Sequence, residues 1–285
     1  MDGFISCKPL RILGVGDTGF NTVMHLNGKL ELAETLIVHY EKQLLIEGKS
    51  NYILHVEKEK IKNNRRVLLN SDKERLVDCF EGVDVAVFVA DLRNDYEKQC
   101  YKKLLKVFEG AILILVHSMI TKEEKEIVNN IHKQSKRNVN VMLVQNEGDQ
   151  VNETTIHAIR MFHNFYSMVN KPGYLNISFN DVKKALEKGK QFVVGIGSGI
   201  GERKLSVATK NALKSMTFCS NSFEAKAILV NFYANRQLAM DEINETIYLI
   251  KQEVGNIKNV KWGYIETFCA NIRIAILITG IIKYE

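Results

Sequence analysis

The chain has 285 residues, 46% of them apolar, with a formal net charge of +6. That is enough apolar material for one large or two ordinary cores, which excludes a disordered or low-complexity protein. No run approaches the roughly 18 apolar residues of a membrane span, and the opening MDGFISCKPL lacks the pattern of a secretory signal, so the expected setting is the cytoplasm with no direct membrane insertion.

The charge lies in clusters such as EKEKIKNNRR (57–66) and HKQSKR (132–137) without interleaved aromatic residues. Solvated faces are expected there, and nucleic acid is not the partner expected. Cys7, Cys79, Cys100, Cys219 and Cys269 are odd in number and far apart. They read as reduced core residues rather than metal or redox pairs.

Apolar, β-branched runs of strand length recur at 11–16, 34–40, 84–90, 111–117 and 139–145. Polar stretches with helical spacing, such as 71–80 and 122–133, lie between them. Strands too apolar to leave one face wet, alternating with helices, predict a doubly wound, mostly parallel α/β domain over 1–151. Residues 152–171 then predict one long central helix with Ile156, Ile159, Phe162, Tyr166 and Val169 in a stripe, Asn152 as cap, and Pro172–Gly173 as stop. His163 borders the stripe rather than binding metal. Beyond it, helices at 180–188, 202–216 and 240–254 and strands at 191–196, 225–232, 260–265 and 272–281 predict a smaller α/β domain over 172–285.

GVGDTG places Gly14, Gly16 and Gly19 in G-x-G-x-x-G spacing between the first strand and a helix. Such glycines let a backbone approach a phosphate at a helix N-terminus, and Glu41 stands where a ribose-binding acid could. The same glycines can equally serve close packing. A dinucleotide-dependent enzyme is one reading of this element.

The second half points elsewhere. PGYLNISFNDVKKALEKGKQFVVGIGSGIGERKLSVATKNALKS (172–215) resembles the segment after the central helix of FtsZ, the bacterial cell-division GTPase related to tubulin. AKAILVNFYANRQLAMDEINETIYLI and IRIAILITGI are similar to that family's later strand–helix unit and last strand. The resemblance runs in order over nearly the whole chain and implies the FtsZ/tubulin fold. It also implies GTP or GDP as ligand, and catalysis completed when a neighbour's lower loop meets the nucleotide.

On that resemblance Gly14, Gly16, Gly19 and Asn21 are the nucleotide-binding positions, but two family glycines are replaced by Asp17 and Thr18. The family's glycine-rich phosphate loop becomes ADLRNDYEKQC (90–100), which has no glycine, and Arg93 reads as exposed. Of the ribose-contacting pattern only Glu123 matches. Thr155 stands where an acid or amide would read guanine. In the lower loop Asn176, Phe179 and Asp181 match while Ser178 replaces an aspartate, leaving Asp181 as the one candidate catalytic residue and Asn176–Asp181 as an interface. Asp181 also suits the first turn of the following helix. Glu202 and Arg203 suit a helix start. The family continues past its last strand into a membrane-tether peptide, so a self-sufficient division ring is not expected from a chain ending GIIKYE.

The expectation is an FtsZ/tubulin-like cytoskeletal protein with a degenerate nucleotide site, weak for GTP or GDP and without metal. It would act with itself or a related FtsZ-like filament protein. The alternative is a GTP-binding polymer with a remodelled phosphate loop.

Overall fold

A computed structural model describes residues 10–26, 29–30, 33–39, 52–55, 82–91, 94–95, 97–98, 101–102, 108, 112–118, 126, 130, 139–144, 151–169, 173–216 and 223–282. It divides into two compact units, Met1–Arg160 and Met161–Glu285.

In the first unit, strands β1 (Leu10–Val15), β2 (Ala33–His39), β3 (Tyr52–His55), β4 (Val85–Val89), β5 (Ile112–Ser118) and β6 (Val139–Val144) line up in the order β3-β2-β1-β4-β5-β6. All the neighbours in that series are parallel. β1 and β4 are buried at every position, as strands covered on both faces must be. Helix α1 (Gly16–Leu26) follows β1 directly. Because the chain moves outward through β2 and β3 and then returns to the other side of β1, the order reverses between β1 and β4. In open parallel sheets that reversal leaves a crevice beyond the strands' carboxyl ends, where ligands bind.

Helix α2 (Val151–Val169) begins one residue before Asn152, which therefore lies in its first turn. The expected stripe is buried, and so is His163. Phe162 stacks on Tyr166 at 6.2 Å and tilts against Phe192 at 5.6 Å.

The second unit contains α3 (Phe179–Lys188), β7 (Gln191–Gly199), α4 (Lys204–Ser215), β8 (Phe223–Ala234), α5 (Met240–Val254), β9 (Val260–Glu266) and β10 (Ile272–Ile282). Its strand order is β7-β10-β8-β9. β10 is antiparallel to both neighbours, whereas β8 and β9 are parallel. β10 forms the centre of this core, with Ile272, Ile274, Ile276, Leu277 and Ile278 fully buried.

The described strands and helices fall where the hydrophobic pattern puts them, with two additions. β3 was not expected, β7 runs three residues beyond its predicted end, and β8 runs two residues beyond each of its predicted ends. Cys269 is exposed, not part of a core, because it sits in the turn between β9 and β10. The other four cysteines, Glu41, Arg93, Glu123 and nearly all of the predicted helices at 71–80 and 122–133 lie outside the described residues. No helix among the described residues is long and apolar enough to cross a membrane.

Candidate functional site

The crevice at the strand-order reversal is built from the ends of β1 and β4. Gly14 and Gly19 face each other across the turn into α1. A Cβ on Gly14 would lie 2.6 Å from the Gly19 carbonyl carbon, and one on Gly19 would lie 2.5 Å from that of Gly14 and 2.7 Å from the Val89 oxygen. Real side chains do not approach backbone so closely, so these two glycines are required by the packing of α1 on β1 and β4. Gly16 has φ +66°, a left-handed conformation suited to glycine. Asn21 is exposed on α1, and its carbonyl oxygen bonds His25 Nδ1 at 2.9 Å.

A carboxyl group fills the space in front of Gly16. Glu97 lies in the helical turn after β4 and is only 2% exposed. Its Oε2 accepts the Asp91 N–H at 2.5 Å, at the carboxyl end of β4. A Cβ on Gly16 would come within 2.5 Å of Glu97 Cδ. One turn further on, Tyr101 is fully buried with its ring centroid 4.7 Å from that of Phe88 in β4, which fixes this turn against the sheet. Burial raises the Glu97 pKa; the Asp91 N–H opposes the rise, while the Asp91 and Asp17 carboxylates add to it, leaving it at about 8. At neutral pH Glu97 is therefore mainly a neutral acid. A phosphate at this point would meet Glu97 where it needs an open backbone donor, with Asp17 and Asp91 nearby. Among the described residues, Glu97 holds the space before Gly16 that a phosphate would take.

The second site is the loop before α3. Ser178 caps the helix: its hydroxyl accepts the Asp181 N–H at 3.3 Å, and Asp181 Oδ2 accepts both the Ser178 N–H at 3.0 Å and the Ser178 hydroxyl at 2.9 Å. This is a reciprocal capping box with aspartate at its third position. Lys261 of β9 pairs with the other Asp181 oxygen. Desolvation alone would raise the Asp181 pKa, but the bonds from Lys261 and Ser178 outweigh it and hold the carboxyl below its usual range. Asp181 is thus an ionised, fully engaged carboxylate. It is poorly placed to take a proton from water.

The loop is pinned from below. Leu175 and Tyr264 exchange backbone bonds at 3.4 and 2.7 Å, Ile177 is buried, and Tyr174 stacks on Tyr264 at 5.9 Å while staying 79% exposed. Asn176 and Ser178 are exposed and Phe179 and Asp181 are half-buried, so all four predicted interface residues present some surface. Thr155 is buried in α2, and Glu202 and Arg203 lie in the exposed turn before α4. Among the described residues no cluster of His, Cys, Asp and Glu could hold a metal.

Sequence reasoning found both loops but missed Glu97 and the Ser178 cap. The cap was legible as S-x-x-D before an apolar-periodic run. Glu97 had a fainter signal, since it stands one helical turn before Tyr101, which is buried.

Residues 190–282 match the model of the FtsZ family, C-terminal domain. The chain is 31% identical over 116 residues to cell division protein FtsZ 1 of Archaeoglobus fulgidus, covering 40% of this chain and 32% of that protein. It is 30% identical over 89 residues to FtsZ of Aquifex aeolicus, covering 31% and 24%. The matched stretch spans about a third or less of the length of these curated relatives. Among solved structures, CetZ2 from Haloferax volcanii in a GTPgS-bound protofilament superposes with TM-score 0.72 at 13% identity, covering 97% of this chain and 94% of that one. The empty FtsZ dimer of M. jannaschii gives 0.68 at 16% over 96% and 88%. TubZ of Clostridium botulinum phage c-st gives 0.66 at 17% over 95% and 92%. At such identities the likeness is one of fold.

Proposed function

We propose that this chain, a member of the FtsZ/tubulin superfamily, is a cytoskeletal protein which assembles with itself or with a related filament protein without depending on GTP. The observation that carries this reading is Glu97, whose carboxyl takes the Asp91 N–H and the space before Gly16. In a nucleotide-dependent member of such a fold, the crevice loops would gain order from the phosphates. Here a side chain of the protein itself supplies that contact. Binding of GTP or GDP is therefore weak, by at least about tenfold or roughly 1.4 kcal/mol relative to a typical relative.

Hydrolysis is correspondingly slow or absent. Asp181 is tied into the α3 cap and to Lys261, and Ser178 contributes a cap in place of a second acid. The interface role of the lower loop survives this loss, because Asn176, Ser178 and Tyr174 remain exposed around a fixed backbone. Such a contact joins unlike faces, so it extends into a filament or caps a related one. This reading keeps 1–151 as the nucleotide-type domain, 152–171 as the central helix and 172–285 as the smaller domain.

Light scattering and electron microscopy, with and without GTP, test the reading. Assembly that is insensitive to GTP and weakened by Phe179→Glu is expected. Filaments that form only with GTP, or that ignore Phe179→Glu, would contradict it.

A further inference from the structure

A cleft of about 310 Å³ opens on the second unit between α3, the first half of β8 and the segment entering β9. Its rim is cationic. Lys184 and Lys188 reach it from one face of α3 at i, i+4 spacing, Lys258 from the turn before β9, and Lys261 from β9 itself. Beneath them the floor is aliphatic, with Ala185, Ile228 and Leu229 buried.

The charges in this cleft are unbalanced. Asp181 is its one carboxylate among the described residues, and that group is already bound by Lys261 and the α3 cap. Lys188 Nζ bonds the Asn259 side-chain oxygen at 2.5 Å, a neutral partner. Neither Lys184 nor Lys258 pairs with an acid among the described residues, so four ammonium groups face one carboxylate. Like charges gathered around a concave, partly apolar surface raise the local potential and attract an anion. The fold keeps this repulsion although an acid at any rim position would relieve it.

The chemistry of the walls selects the anion. Among the described residues no aromatic ring and no arginine line the cleft, so these walls offer neither stacking for a base nor the planar fork that grips phosphate in two places. Lysines are compact point charges that a flexible carboxylate can meet singly, and the aliphatic floor suits a small apolar side chain. We propose that this cleft docks an acidic peptide segment of a partner protein. Its carboxylates meet Lys184, Lys188 and Lys258, and an aliphatic side chain rests on Ala185, Ile228 and Leu229. The site shares no residue with the β1–β4 crevice and does not depend on the reading of that crevice.

Fluorescence anisotropy on the full chain tests this with a labelled peptide of about twelve residues, two glutamates to each leucine. Saturable binding is expected, weakening steeply with salt as exposed charge contacts do. Lys184→Glu with Lys258→Glu should weaken it at least about tenfold, while Lys210→Glu with Lys214→Glu on α4, the same change in net charge, should alter it less than about twofold. The glutamine version of the peptide and an oligothymidine of similar length should bind more weakly at equal salt. If the cleft reversal lowers the unfolding midpoint, Lys184→Gln with Lys258→Gln replaces it, with a loss of about threefold or more expected. Absence of saturable binding, equal losses in the cleft and α4 variants, or displacement of the peptide by oligothymidine at equal or lower concentration would overturn the proposal.

Discussion

At pH 9 the Glu97→Gln protein should be more stable than the wild type, and at pH 4 the two should differ little. The carboxyl of Glu97 is raised from an ordinary 4.5 to about 8 in the folded protein, first by burial and then by the Asp91 and Asp17 carboxylates. An acid raised on folding binds its proton more tightly in the native state, so stability is lost as pH rises from about 4.5 and the loss is complete just past about 8. Each unit between the two values is worth about 1.4 kcal/mol, which puts the full effect on the order of 5 kcal/mol. Glutamine keeps an acceptor for the Asp91 N–H and never ionises. Urea unfolding of both proteins across pH 4–9 checks this: parallel pH profiles would show that Glu97 is not buried beside these acids.

Gly19→Ala should destabilise the nucleotide-free protein by about 3 kcal/mol, since the new methyl meets backbone atoms of Gly14 and Val89 rather than a side chain that can swing away. For a chain of this size that lowers the unfolding midpoint by roughly 5 °C. A phosphate-binding glycine predicts the contrary, an unchanged midpoint without nucleotide. Thermal unfolding without any ligand therefore separates the two roles of this motif.

These predictions show where the sequence was informative. The parallel strands were legible because burial on both faces demands unbroken apolar runs, as in LRILGV and VAVFV. β3 escaped because YILH is only four residues long, too short for a period to register. The glycine motif gave the turn but not its purpose, because the close approach of Gly14 to Gly19 has the same spacing as a phosphate cradle. The loss of glycine after β4 signalled a changed site, yet its replacement depends on a contact between residues 16 and 97 that no local pattern encodes. In the lower loop the substitution of Ser178 looked like lost chemistry. Its geometry is that of a gained helix cap.

The claim that the β1–β4 crevice is filled from within the protein is tested most directly by calorimetric titration of the purified chain with GTP and magnesium. Binding too weak to saturate, with no accompanying rise in the unfolding midpoint, is the predicted result. Tight, magnesium-dependent binding that stabilises the fold would contradict it.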